Sequence, residues 1–133
     1  MKKNGVLNIQ LSQTIAALGH GDMLVIADAG LPVPKGVPCI DLAVCLGIPT
    51  LEQVLQAILQ EVHVERITLA APSEQHSTSL WAQAHQLAQD NHWQVDIVSH
   101  EILKDRSASA RAIVRTGDNT PYTNIVLHSG VPF

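Results

Sequence analysis

Four places in the sequence combine residue types that can move protons or hold hydroxyl groups. His20 stands in Gly19-His20-Gly21-Asp22, where the flanking glycines let the backbone turn sharply or come close to a ligand. An imidazole ordinarily titrates near neutral pH, so it can lend and recover a proton without special tuning, as hemiacetal opening requires. A histidine just past a helix C-terminus is also explained by the helix dipole alone. Asp28 ends the apolar run Met23-Leu24-Val25-Ile26-Ala27, where a carboxylate is costly unless solvated or hydrogen-bonded. It either caps the following loop or accepts hydroxyl hydrogens from a ligand. His100, between Ser99 and Glu101, is either a solvated first-turn residue or part of a site. Tyr122, Thr123 and Asn124 bring hydroxyl and amide groups together in a turn, which suits a neutral polyol and a plain turn alike. Asp22 and Asp41 are simpler to explain as loop or helix-start acids.

These groups must be positioned by elements the chain itself signals. Ile9, Leu11, Ile15 and Leu18 follow helical spacing, with Asn8 as a possible N-cap and Gly19 as the stop. Met23 to Ala27 reads as a strand buried on both faces, followed by a shaped loop with glycine or proline at positions 30, 32, 34, 36 and 38. Ile40 to Leu46 is expected to be a second strand. Thr50 and Gln53 form a capping box ahead of the stripe Leu51, Val54, Leu55, Ile58 and Leu59, in a helix expected to end near Val62. Strands are expected at 64–70, 95–98, 110–115 and 125–127, and helices at 77–90 and, capped by Ser99, at 100–105. Strands alternating with helices predict an α/β fold: one three-layer domain over residues 1–133, with a largely parallel sheet flanked by helices. It is Rossmann-like without a dinucleotide motif. In such sheets ligands gather beyond the carboxyl ends of strands, where Asp28, His100 and the 116–124 turn are expected.

Composition removes several function classes. Eight Lys and Arg against twelve Asp and Glu, a formal charge of -4, give no footprint for a phosphate backbone, so no nucleic-acid partner is expected. No apolar run approaches the roughly 20 residues a membrane helix needs, and polar residues interrupt the N-terminal stretch where a secretion signal would need its apolar core. Cys39 and Cys45 form no CxxC pattern. They read as small core-filling residues in a reduced cytoplasm. His63, His76, His85, His92 and His128 show no zinc spacing and for the most part suit the surface. GxGxxG, GxxxxGK[ST] and GxSxG are absent, so neither metal nor cofactor is expected. With 46% hydrophobic and only 15% charged residues, the chain carries more apolar surface than a small monomer hides, and a homo-oligomer is expected.

Gly19-His20-Gly21-Asp22, Asp28-Ala29-Gly30-Leu31-Pro32-Val33-Pro34, Ser99-His100-Glu101, and Arg115-Thr116-Gly117 through Pro121-Tyr122-Thr123-Asn124-Ile125 occur in this order across the chain. Together they resemble the D-ribose pyranase family, over essentially the whole length and least in residues 70–96. The resemblance implies cofactor-free interconversion of the pyranose and furanose forms of β-D-ribose, supplying ribokinase in the cytoplasm. It implies His20 as proton donor, Asp28, His100, Tyr122, Thr123 and Asn124 as the sugar-binding set, and Asp28, His100 or water as the partnering base. It also implies pentameric rings stacked as a decamer, each site completed by a neighbouring subunit. L-Fucose mutarotases share the general layout, and a non-catalytic ribose-binding module is the alternative from a different class.

Overall fold

A computed structural model describes residues 1–133. In chain order the elements are α1 (Ile9–Ala16), β1 (Met23–Ala27), β2 (Cys39–Asp41), α2 (Leu51–Leu59), β3 (Val64–Ala70), α3 (Ser73–His76), α4 (Thr78–Asn91), β4 (Gln94–Val98), α5 (His100–Ser107), β5 (Ala112–Arg115) and β6 (Ile125–Ser129). The helix starts follow the side chains that satisfy their free amides. Asn8 accepts from the Leu11 N–H, Ser99 from Ile102, and Thr50 and Gln53 exchange both bonds of a capping box.

The strands form one sheet in the order β2-β5-β1-β6-β3-β4. Three pairings are parallel, and only β6 runs against its neighbours, β1 and β3. The sheet is therefore largely parallel, as expected. The reversal of β6 has a local consequence. Ile125, its first residue, lies opposite both Ile26 and Leu69, so the turn before it returns to the carboxyl ends of the parallel strands.

Alternation along β1 divides the core. Leu24 and Ile26 pack on the face covered by α1, α2 and α4, while Val25 and Ala27 pack on the opposite face with Leu103 of α5 and Leu31 of the shaped loop. These are the three layers. On the first face α2 buries Leu51, Val54, Leu55 and Ile58, each worth about 1.5–3 kcal/mol relative to exposure. On the second face, beyond the reach of Leu103, the sheet turns polar. Buried Thr68 meets His128 Nε2 at 2.9 Å, and Arg106 reaches Asp96 at 3.3 Å.

Three expectations need correction. The strand expected over Ile40 to Leu46 stops at Asp41, whose carboxylate accepts the Ala43 N–H at 3.0 Å and turns the chain. Residues 43–48 then form a small loop closed by Val44 N–H to Ile48 O at 3.0 Å and Ile48 N–H to Cys45 O at 3.0 Å. The second helix ends at Leu59 rather than near Val62, although Glu61 and Val62 still bond back to Ile58 O. Cys39 and Cys45 are exposed, not core-filling. Cys39 lies on the outward face of the short edge strand β2, and Cys45 in the 43–48 loop.

Candidate active site

Asp28 emerges where β1 ends, and its carboxylate is held from two sides. One oxygen accepts the Gly30 N–H at 2.9 Å, and the other accepts the side-chain amide of Asn124 at 2.9 Å. Asn124 returns the bond, its Oδ1 accepting the Asp28 N–H at 3.0 Å. This reciprocal pair fixes which end of the amide faces the carboxylate. Asn124 is buried and can reach Asp28 because β6 is antiparallel. The turn is anchored in turn by Thr116, whose hydroxyl and N–H both reach the Ala27 carbonyl, at 2.8 and 2.9 Å.

Asp118 was not singled out from sequence, yet it organises the turn. Buried, it accepts the Leu51 N–H at the start of α2 and the Thr120 N–H, both at 3.0 Å. An aspartate that follows a glycine and stands two residues before a threonine in a polar turn is the sequence signal that could have found it. Gly117 beside it is required by close approach, since an added Cβ would run into the carbonyl oxygens of Ile48 and Cys45.

Tyr122 adopts φ 61°, a left-handed conformation costing a non-glycine residue about 1–2 kcal/mol. Two rings hold it: His100 edge-on at a centroid separation of 5.1 Å and His76 tilted at 5.3 Å. His76 is exposed, as most of the histidines outside the candidate set were expected to be. His100 Nδ1 is buried without a hydrogen-bond partner in the chain. Asp28, Gly30, Leu31, Pro32, His100, Pro121 and Tyr122 line a hollow of about 250 Å³. On the other side of Asp28, Gly30 and Pro121 lies a second hollow of about 330 Å³, reaching Leu46 and Asp118.

The expected sugar-binding residues thus fall into three positions. Asp28, His100 and Tyr122 line the first hollow, and Asn124 buttresses Asp28 from behind. The Thr123 hydroxyl is engaged elsewhere, 2.6 Å from the Ser77 hydroxyl, with both residues buried.

His20 lies at the opposite end of the sheet. It precedes β1, whereas Asp28 follows it, and a five-residue strand separates their ends by about 16 Å. Its turn is rigidly stapled. Asp22 accepts the Gly19 N–H and Arg111 Nε, both at 2.8 Å, while Gly21, at φ 82°, donates to Ser129 O at 2.7 Å. The Gly19 amide first, and Arg111 next, hold the Asp22 carboxyl below its ordinary range. The His20 ring is exposed, with Nε2 3.0 Å from Glu65 Oε2. Neither Glu65 nor Arg111 carries a local sequence signal, since each reaches this turn only through strand pairing. No three His, Cys, Asp or Glu side chains gather in a way that could hold a metal ion.

The family model described as the RbsD / FucU transport protein family matches residues 1–132. A D-ribose pyranase of Chromobacterium violaceum is 46% identical over 133 residues, with all of both chains covered. Among solved structures, that of Bacillus subtilis RbsD complexed with D-ribose matches with a TM-score of 0.94 at 39% identity, again over the whole of both chains. A fucose mutarotase from Streptococcus pneumoniae in complex with L-fucose matches with a TM-score of 0.77 at 25% identity, over 96% of this chain and 95% of that one.

Proposed function

This chain belongs to the RbsD / FucU transport protein family, and from that membership we propose that it interconverts the pyranose and furanose forms of β-D-ribose by acid and base chemistry. The observation that carries the reading is the Asp28 carboxylate, clamped by Gly30 and Asn124 and opening with His100 and Tyr122 into one polar hollow. A carboxylate offers about four lone-pair directions. Two are used within the chain, which leaves two for the sugar's hydroxyls. His100 and Tyr122 bring an imidazole and a phenol to the same wall.

The reaction needs little more than positioned protons. His20 gives a proton to the ring oxygen O5 as the C1–O5 bond breaks, and a base takes the proton of the C1 hydroxyl, leaving the open aldehyde. The O4 hydroxyl then attacks C1 and loses its proton, the carbonyl oxygen regains one, and the furanose closes with no net change in atoms. One positioned acid or base commonly contributes about 10²- to 10⁴-fold, which suffices for a ring opening that already proceeds in water.

His20 and Asp28 sit at opposite ends of one sheet, so a single copy does not bring them together. We assign each complete site to two copies meeting head to tail, the amino end of one sheet against the carboxyl end of the next. Repeated contacts of this kind close into rings, and pentameric rings stacked as a decamer are the assembly proposed here. Val44, Leu46 and Ile48 support this, standing 80%, 73% and 56% exposed on the loop at the rim of the second hollow, an apolar group that a monomer would leave in water. The cytoplasm, where imported ribose meets ribokinase, is the proposed compartment.

Saturation-transfer NMR between β-ribopyranose and β-ribofuranose tests the activity, and exchange left at its spontaneous rate by added protein overturns it. Saturable ribose binding without acceleration would instead mark a binding module, and greater acceleration of L-fucose exchange a fucose mutarotase. Site sharing is tested by mixing His20→Ala and Asp28→Ala subunits, each keeping only a small residual activity alone. Random co-assembly should restore about one quarter of wild-type activity, the share of contacts that pair the two intact halves. No recovery refutes the shared site.

A further inference from the structure

The His20 turn and the first residues of β3 meet at the amino end of the sheet, outside the hollow around Asp28. There Glu65 projects from an exposed strand position and makes one polar contact, Oε2 to His20 Nε2 at 3.0 Å. The side chains are 60% and 47% exposed, for His20 and Glu65 respectively, so the pair is open on its outer side. Its geometry is fixed from beneath. Gly21 is tied to Ser129, and Gly130 N–H donates to His63 O at 2.8 Å, which locks the end of β6 against both the turn and β3. A Cβ at Gly130 would stand 3.1 Å from Glu65 Cβ and 3.4 Å from its Oε2, so the glycine leaves the carboxylate the space it uses.

A carboxylate only accepts, so the ring nitrogen facing it carries hydrogen. In the neutral ring that leaves Nδ1 with its lone pair free, and in the charged ring it leaves the Nδ1 proton as the one free to move. We infer that Glu65 is a positioning residue for His20, holding Nε2 so that Nδ1 is the nitrogen that gives the proton to the sugar and takes it back. This rests on the proposal that His20 is the acid, and adds which atom acts and what aims it. With Nε2 anchored, the ring need not turn over between the two halves of the reaction. Glu65 lies on the side of the imidazole away from the reacting sugar and does not touch it.

Long-range proton–nitrogen NMR of labelled protein, at a pH where His20 is neutral, reads the tautomer directly. The ring should be protonated at Nε2 in the wild type. In exchange kinetics, Glu65→Ala should lower kcat about 10- to 100-fold, the scale of a misaimed catalytic group, with KM for ribose within about twofold. Glu65→Gln keeps an acceptor oxygen and should restore most of the rate. On a His20→Ala background, Glu65→Ala should cost nothing further, because the two act as one unit. The inference is overturned by a neutral ring protonated at Nδ1, by Glu65→Ala with kcat within about twofold of wild type, or by Glu65→Gln as slow as Glu65→Ala. It is also overturned if light scattering shows that the rate lost in Glu65→Ala follows lost assembly. If the wild type fails to accelerate ribose exchange at all, the enzymatic proposal falls separately, and the nitrogen spectrum still decides the ring assignment.

Discussion

Asn124→Leu isolates the clamp behind Asp28. Leucine keeps the branching at Cγ and removes both polar atoms, so the Asp28 N–H and one carboxylate oxygen lose their partners, at 3.0 and 2.9 Å. A hydrogen bond to an ionised group contributes about 1.5–3 kcal/mol and a neutral one about 0.5–1.5 kcal/mol, so the pair together is worth about 2–4 kcal/mol. For a chain of 133 residues each kcal/mol moves Tm by about 3–4 °C. The variant should therefore melt about 6–16 °C below wild type, compared at one protomer concentration because assembly shifts apparent stability. The carboxylate, left with the Gly30 amide alone, should also swing out of register with the hollow and raise KM for ribose roughly tenfold, equivalent to about 1.4 kcal/mol. Calorimetry and saturation-transfer NMR across ribose concentrations read the two effects. A Tm within about 3 °C of wild type together with KM within about twofold would refute the clamp.

Thr123→Val keeps the side-chain shape and leaves the buried Ser77 hydroxyl without its partner, so it should cost about 1–3 kcal/mol in denaturant unfolding. Its KM should be unchanged; a large rise would show that the Thr123 hydroxyl binds sugar after all. Gly117→Ala drives a Cβ into the Ile48 and Cys45 carbonyls and should destabilise by about 1–3 kcal/mol as the 43–48 loop is pushed away, which chemical denaturation would detect; a loss below about 0.5 kcal/mol would mean that the loop yields freely. Burial, with Arg66 adding to it, holds the His128 ring below the ordinary imidazole range. The unfolded chain then binds this proton more readily than the folded one, so the His128 contribution is complete above about pH 6.5 and is lost as pH falls below it. Tm measured from pH 7.5 down to 5.5 should fall less steeply in His128→Gln than in wild type, and equal slopes would remove His128 as a cause.

The local code of this chain is explicit where one side chain decides one backbone bond. Asn8, Thr50 with Gln53, and Ser99 announce their helices because a short polar side chain satisfies amides only two or three residues away. Met23 to Ala27 announces itself as a doubly buried strand by being apolar on both faces. The same rules fail over residues 40–46, which are apolar enough for a strand. What ends β2 is the Asp41 turn and the seat that Gly117, more than seventy positions away, offers the loop. The free thiols mislead for a similar reason: the apolar character of cysteine is local, and the edge position that exposes Cys39 is not.

The α/β class, the helix starts and the residue types able to carry the chemistry can be read along the chain: His20, Asp28, His100 and Tyr122 stand in recognisable segments, and their resemblance to a known family named the reaction. How these groups are divided follows from long-range packing. It set Asn124 behind Asp28 through the reversal of β6, turned the Thr123 hydroxyl towards Ser77, brought Glu65 to His20 across 45 positions, and put His20 at the end of the sheet opposite Asp28. Periodicity and capping are interactions within a few residues and can be read along the chain. Strand order and direction arise from contacts between distant segments, whose partners no stretch of sequence names.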